Sequence, residues 1–355
     1  MHCEGSVKDM RPLPEKLGEK LCMWYDAGHR ELPWRQDKEP YHVWLSEIML
    51  QQTRVEAVKG YYARFLSELP TIRALAACPP DRLTKLWEGL GYYSRVRNLQ
   101  KAAQVIMDEH GGAFPETYEA VRALPGVGDY TAGAICSICF DLPTPAVDGN
   151  VLRVLSRVME DGAPVTNQKT KTAYRAALLP LYEAGPRGTL TQALMELGAM
   201  VCVPNGAPKC EICPLRDVCL ANAHGTWEKY PVKEAKKAKR EEEKTVFYLT
   251  CDGCLAVRKR ESKGLLAGLW ELPNVEGKLD AAQALSFAEK AGCEPAELLK
   301  SVERVHVFTH IIWRMRCYYI VCKEKSPEFV WADAERRKTD VALPTAFRMF
   351  VEEEI

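Results

Sequence analysis

No run of apolar residues in this 355-residue chain approaches the ~20 needed to cross a bilayer. The opening MHCEGSVKDMRP is too polar to hold the apolar stretch of a secretory signal, so a cytoplasmic location is expected. Neither sign of charge is in excess: 48 Lys and Arg stand against 48 Asp and Glu, and the first 225 residues are balanced in the same way. Global charge therefore does not announce a nucleic-acid binder, and any contact with DNA must come from a local patch. A disulfide framework is also missing. Fourteen cysteines are present, but without an export signal they are expected to be reduced. What remains is an ordinary folded composition, 47% apolar and 27% charged, long enough for two or three domains.

The most informative stretch runs from Leu124 to Asn150, LPGVGDYTAGAICSICFDLPTPAVDGN. Gly126, Val127 and Gly128 form a turn feeding an apolar helix, and backbone N–H groups at such a turn can hold a phosphate oxygen. The same turn also reads as a plain helix–helix connection. Asp148 follows, with a fresh helical pattern behind it, and reads equally as the N-cap of that helix.

Most cysteines, such as Cys22, Cys78, Cys136, Cys139, Cys293 and Cys317, sit singly in apolar context and read as core thiols. Cys202, Cys210, Cys213 and Cys219 differ. Their C-x7-C-x2-C-x5-C spacing lies in a polar loop rich in proline and glycine, and four converging thiolates need a cation or a cluster between them. Zinc and an iron–sulfur cluster both satisfy that need; the uneven spacing, with one close pair, favours a [4Fe–4S] cluster. Cys251 and Cys254, around Asp252-Gly253, read instead as the flanks of a β-hairpin turn.

With these segments in hand, the chain resembles the endonuclease III superfamily of helix-hairpin-helix DNA glycosylases, and within it the adenine DNA glycosylases of the MutY type. The resemblance rests on PWR at 33–35, VWLSEIMLQQTRV at 43–55, EGLGYYSRVRNL at 88–99, LPGVGDYTAGA at 124–134, VDGNVLRVLSR at 147–157, the four-cysteine loop and GLLAGLWELP at 264–273. It implies a multidomain chain: an all-α helix-hairpin-helix half with a [4Fe–4S] loop, then a C-terminal Nudix-like α/β domain. The expected division is a helical catalytic region over 1–225, a charged linker over 226–244 and the Nudix-like domain over 245–355. Within the first, a six-helix module covers about 33–140, and the N-terminal helix joins 141–225 around the cluster. The first gap of the cysteine loop is one residue longer than the family's usual six, a loop insertion that need not move the ligands.

Position 130 sets the expected chemistry. Relatives that also cut the strand carry a lysine here that forms a Schiff base; Tyr130 cannot form that imine. Base removal without strand cleavage is therefore implied. Breaking an N-glycosidic bond needs a proton on the leaving base and an anion beside an oxocarbenium-like sugar. In a helix over 43–52, Val43, Trp44 and Leu50 place Glu47 on an apolar face, where an unpaired carboxyl is held neutral and its pKa rises. The alternative is a glutamate paired with Arg35 or Arg95. The resemblance assigns Glu47 as the acid and Asp148 as the anion, with Tyr130 and Asn150 in the same pocket. It places Arg30, Trp34, Arg35 and Gln192 around the flipped adenine, and Gln52, Thr53 and Tyr92 at the vacated stack, where Tyr92 also reads as packing.

From Tyr230 a charge run, PVKEAKKAKREEEK, reads as a solvated linker. Beyond it come β-like runs, VHVFTHIIWRMRCYYIV among them, interrupted by a helical stretch near 280–291. The resemblance gives Phe308, Thr309 and His310 as readers of 8-oxoguanine, Thr309 standing where the family has serine; otherwise Thr309 is an ordinary strand threonine. The clustered glutamates of a working Nudix helix are missing, so no pyrophosphatase activity is expected. The implied partner is double-stranded DNA with adenine opposite 8-oxoguanine, met by a monomer. The rival readings are a thymine-type mismatch glycosylase of the same superfamily and a non-catalytic iron–sulfur damage sensor.

Overall fold

The computed structural model describes residues 10–234 and 238–352. The first nine residues of the polar N-terminus, residues 235–237 of the charge run and residues 353–355 of the expected second domain lie outside the described residues. The chain forms two compact units, one from residues up to 76 with 98–235, the other from 77–97 with 236–355. The helical segment 77–97 packs within the second unit. Its side chains explain why: Lys85 Nζ donates to the Val341 carbonyl (3.1 Å), Glu88 accepts from the Leu343 N–H (2.7 Å), and Asp81 pairs with Lys259 (2.6 Å).

Helices follow one another through the first two-thirds of the chain: α1 (Leu17–Gly28), α2 (Pro40–Leu50), α3 (Val55–Glu68), α4 (Ile72–Ala77), α5 (Pro80–Leu86) and α6 (Ser94–Glu109). Then come α7 (Tyr118–Ala123), α8 (Asp129–Cys139), α9 (Gly149–Met159), α10 (Gln168–Ala184), α11 (Arg187–Met200) and α12 (Leu220–Ala223). α2 starts on Pro40, whose missing N–H costs nothing in a first turn. Every residue from Val43 to Met49 is buried, so Glu47 has no solvent face to turn to. α8 packs beside it and is buried from Thr131 through Ile138. A Cβ at Gly133 would come within 2.8 Å of the Pro145 carbonyl oxygen, so the glycine lets the chain leading to Asp148 lie against α8. α9 is buried from Val151 through Met159, and its apolar side sits in a core shared with α1, α10 and α11, where Leu21, Val154, Tyr174 and Leu194 meet.

The helix expected over 43–52 ends earlier. α2 stops at Leu50, Gln51 has a non-helical ψ of 112° and Gln52 sits at φ 57°. The Thr53 N–H donates to the Leu50 carbonyl (3.2 Å) and closes the turn, so QQT is a turn rather than a polar run inside a helix.

The second unit is built on a mixed sheet ordered β3-β2-β1-β6-β5, with β4 on β1 and β7 on β2. Its strands are β1 (Arg240–Cys251), β2 (Cys254–Lys259), β3 (Trp270–Glu271), β4 (Asn274–Glu276), β5 (Pro295–Val307), β6 (Ile311–Cys322) and β7 (Val330–Ala332). β1 and β6 run parallel; the other pairs are antiparallel. Strand alternation feeds two cores. Val246, Tyr248, Trp313 and Met315 join Phe347 and Phe350 of the helix Thr345–Val351 on one face. Phe247, Leu249, Tyr318 and Ile320 join Ala284 and Ala288 of α13 (Ala281–Lys290) on the other.

Two expectations change here. β1 begins at Arg240, inside the stretch read as linker, because its charges find partners on β6: Arg314 pairs with Glu241 (2.7 Å) and Trp313 Nε1 donates to Glu242 (2.8 Å). The long run around Phe308 is not one strand but a hairpin. The Phe308 N–H donates to the Ile311 carbonyl (2.8 Å), leaving Thr309 and His310 in the turn. Cys251 and Cys254 do face each other across a hairpin turn, with Asp252 and Gly253 at positive φ.

Candidate active site

A cavity of about 930 Å³ opens within the helical unit. Glu47 enters it from α2, Tyr130 from the first turn of α8, and Asp148, Gly149 and Asn150 from the head of α9. Arg30, Trp34 and Arg35 enter from the segment after α1, Gln192 and Glu196 from α11, and Gln52 and Thr53 from the turn after α2. Residues separated by as many as 166 positions in sequence thus converge on one space.

Glu47 is 7% exposed, and burial above all pushes its carboxyl up to about 7, with the charge of Asp148 adding to the shift. The Tyr130 hydroxyl, which donates to Glu47 Oε2, and the more distant Arg35 oppose the shift without cancelling it. Tyr130 is itself held far above its usual range, by burial and then by Glu47, so it stays a neutral donor. Of the two arginines considered as partners, Arg35 bonds Glu196 (2.9 Å), and Arg95, in the second unit, donates to the Leu90 and Gly91 carbonyls (3.0 and 3.2 Å).

Asp148 caps α9, accepting the Val151 N–H at 2.8 Å. Its other oxygen accepts the Asn150 amide at 2.7 Å. Burial raises the Asp148 carboxyl above its usual range, and these two bonds work against that rise by favouring the anion. Capping and orientation therefore coexist in one residue. Asn150 is fixed in turn by Arg153, whose guanidinium reaches Asn150 Oδ1 (2.8 Å), the Gly198 carbonyl (2.7 Å) and the Cys202 carbonyl (2.7 Å).

A further part of the wall is built on a residue the sequence reading passed over. Glu196 is 2% exposed and takes bonds from Arg30 Nε and Nη2 (2.7 Å each) and from Arg35 Nη2 (2.9 Å). Burial would raise its carboxyl, but these guanidiniums outweigh it and hold it down at about 2. The signal for Glu196 was available, since it interrupts the apolar run ALMELGAM as Glu47 interrupts VWLSEIML. Trp34 is buried and edge-on to Tyr62, with ring centroids 5.5 Å apart. Gln192 Oε1 accepts the Tyr25 hydroxyl at 3.1 Å.

At the turn before α8, Gly126 has φ 78°, and a Cβ there would meet Asn98 Cβ at 2.6 Å. Gly126 and Gly128 line the cavity, whereas the Val127 side chain is buried in the core and its carbonyl accepts from Arg122 (3.0 Å). Among the expected contacts, Tyr92, Phe308, Thr309 and His310 belong to the second unit. There the hydroxyls of Tyr92 and Thr309 lie 3.3 Å apart, and Phe308 packs edge-on to Trp313 at 4.8 Å between centroids.

The four loop cysteines line one apolar hollow of about 30 Å³ beside α9. Interiors are otherwise packed without such voids, so a hollow walled by four thiols fits a bound group. Arg157 Nη1 donates to Cys202 Sγ (3.2 Å), placing a cation against that sulfur. Among the described residues no group of three or more His, Cys, Asp or Glu is set to hold a single metal ion. No described helix is long and apolar enough to cross a membrane.

This fold, with a glycine turn before α8 and the carboxylates of buried Glu47 and half-buried Asp148 on one cavity, defines a base-excision glycosylase of the helix-hairpin-helix class. Residues 45–179 match the HhH-GPD superfamily of base excision DNA repair proteins, and residues 245–353 match the NUDIX domain. The adenine DNA glycosylase of Rattus norvegicus is 32% identical over 94% of this chain and 77% of its own length, and that of Homo sapiens is 35% identical over 86% and 67%. A thermostable thymine-DNA glycosylase structure superposes with a TM-score of 0.53 at 27% identity, covering 58% of this chain and 95% of that one. The chain belongs to the adenine DNA glycosylase family.

Proposed function

We propose that this protein removes adenine mispaired with 8-oxoguanine, or with guanine, from double-stranded DNA and leaves the strand uncut. The observation that carries the reading is Glu47, a carboxyl held near 7 by burial, in the same cavity as the capped carboxylate of Asp148. The two environments suit an acid and an anion, the division of labour that glycosidic cleavage requires.

Unstacking the target adenine costs a few kcal/mol. Gln52 and Thr53, on a turn rather than a helix, fill the gap it leaves. Arg30, Trp34, Arg35 and Gln192 surround the base. Glu47 gives its proton to adenine N7 as the bond to C1′ breaks, and then serves as base toward the attacking water. Asp148, oriented by Asn150, faces the cationic sugar; at ~4 Å and an effective dielectric near 20 its charge is worth about 4 kcal/mol, close to three decades of rate. Tyr130 donates to Glu47 and offers no amine for an imine, so the product is an intact strand with an abasic site. Gly126 and Gly128 hold the DNA backbone, with Val127 anchoring their turn in the core. Cys202, Cys210, Cys213 and Cys219 hold a [4Fe–4S] cluster, which when bound fixes their loop. Phe308, Thr309 and His310, with Tyr92, read the opposite base.

Single-turnover excision on duplexes carrying adenine opposite 8-oxoguanine, guanine or cytosine, and thymine opposite guanine, tests the reading. Adenine should leave fastest opposite 8-oxoguanine and next opposite guanine, with strand breaks only after alkali. Thymine release, or strand cleavage without alkali, would overturn it.

A further inference from the structure

Glu196 sits at the centre of a closed charge cluster. Its two oxygens receive four N–H donors: the Arg30 backbone (3.1 Å), Arg30 Nε and Nη2 (2.7 Å each) and Arg35 Nη2 (2.9 Å). That fills the acceptor capacity of a carboxylate. Arg35 is tied a second time, Nη1 donating to the Arg30 carbonyl (3.2 Å). Both arginines line the cavity that holds Glu47. One anion against two guanidiniums leaves the cluster with a single net positive charge; without Glu196 there would be two.

The groups facing Glu47 are few. Tyr130 and Cys139 come from α8, Asp148 from the head of α9, and Arg35 from the turn Pro33–Arg35. From α3, which also packs on α2, the buried side chains are Val58, Tyr62 and Phe65. Among the described residues Arg35 is thus a cation able to draw the proton off Glu47, and its reach depends on what holds it.

We propose that Glu196 is a positioning residue that locks Arg35 and Arg30 in a closed cluster, so that neither guanidinium pairs with Glu47 and Glu47 keeps its proton for the leaving base. The inference rests on reading Glu47 as the proton donor. It gives Glu196 a role beyond tying residues 30–35 to α11: it separates the cations that surround the base from the acid that must stay neutral.

The test is the pH profile of single-turnover adenine excision by the full chain. Activity that needs protonated Glu47 falls on the alkaline side. In Glu196→Gln the freed Arg35 should move that limb to lower pH by about one unit or more, the usual effect of an opposite charge within ~4–6 Å. Adding Arg35→Gln to Glu196→Gln should return the limb toward its parental position. A uniform loss of rate with the limb unmoved would mean a purely structural role and would overturn the proposal. If Glu196→Gln does not fold, Arg35→Gln alone decides. Held in the cluster, Arg35 opposes the rise of Glu47 without cancelling it, so the limb should rise by less than a unit; a rise of a unit or more would show that Glu196 does not keep Arg35 from Glu47 and would overturn the proposal. Glu47→Gln separates the two levels: a limb that persists in that variant refutes the donor reading, whereas a limb lost there but unmoved in Glu196→Gln refutes only the role of Glu196.

Discussion

Glu47 and Glu196 face the same cavity and are buried to nearly the same degree, 7% and 2% exposed. Yet one carboxyl is raised to about 7 and the other lowered to about 2. The difference lies in their partners. A phenol gives Glu47 one neutral hydrogen bond, while two guanidiniums give Glu196 charge as well. Burial alone therefore does not set protonation; the charge of the nearest donor does. A catalytic pocket with both kinds of wall can hold an acid and a fixed ion cluster side by side.

The largest effect should come from breaking the Glu47 side. Glu47→Gln keeps shape and removes the proton, and should slow adenine excision about 10³-fold, within the range of general-acid loss. The same change should stabilise the fold at alkaline pH. The folded pKa of Glu47 lies above its unfolded value, so its contribution is complete below about 4.5 and is lost as pH rises through about 7. Replacing it should therefore relieve up to about 3 kcal/mol at pH 8 and little at pH 4. Thermal midpoints of both proteins across that range check this; a difference independent of pH would show that Glu47 titrates as it does in the unfolded chain.

Breaking the other wall should have the opposite sign. Glu196→Gln leaves two guanidiniums without their counter-ion, and should destabilise the helical unit by about 3 kcal/mol at neutral pH. The folded pKa of Glu196 lies below its unfolded value, so its stabilisation is full above about 4.5 and fades as pH falls toward about 2. The deficit of the variant should shrink on acidification, whereas the gain in Glu47→Gln grows on alkalinisation. Parallel unfolding curves at pH 3, 5 and 8 would show whether the two walls differ as their partners suggest. If both variants shifted alike with pH, the contrast between the walls would fail.

How far these walls could be read from sequence follows from the same physics. Glu47 was legible because apolar neighbours at helical spacing leave a carboxyl no route to water, and Asp148 because a cap announces itself just before a helix. Glu196 carries the same local signal, but its meaning depends on Arg30 and Arg35, over 160 positions away, and no periodicity reports that. The two-part architecture was visible in the change from helical to alternating patterns. The assignment of 77–97 to the second unit was not, since Asp81, Lys85 and Glu88 look like ordinary surface charges until Lys259, Val341 and Leu343 stand beside them. Gln52 looked helical because its neighbours are good helix formers; its positive φ is set by the turn that follows Leu50. Thr309 looked like a strand residue for a similar reason, flanked by β-branched and aromatic residues on both sides.

The hydroxyl pair of Tyr92 and Thr309 tests whether the rule of partners holds outside the buried walls. Tyr92 is 46% exposed, and its 3.3 Å contact to Thr309 Oγ1 joins two neutral groups in reach of water. A neutral hydrogen bond there is worth about 1 kcal/mol or less. Thr309→Ala should therefore leave excision opposite guanine near its parental rate and lower the preference for 8-oxoguanine by about three-fold, since 1.4 kcal/mol would be ten-fold. Thr309→Ser keeps the hydroxyl and loses only the methyl, so its preference should match that of the parent. Excision ratios for the two opposite bases, measured side by side in the parent and both variants, separate hydroxyl from methyl. An unchanged ratio in Thr309→Ala would remove Thr309 as a reader of the opposite base and leave its hydroxyl as a hairpin contact to Tyr92. A ten-fold or larger loss would mean that this exposed pair becomes buried against the DNA, and that the energies of the cavity walls, rather than those of an exposed contact, apply to it.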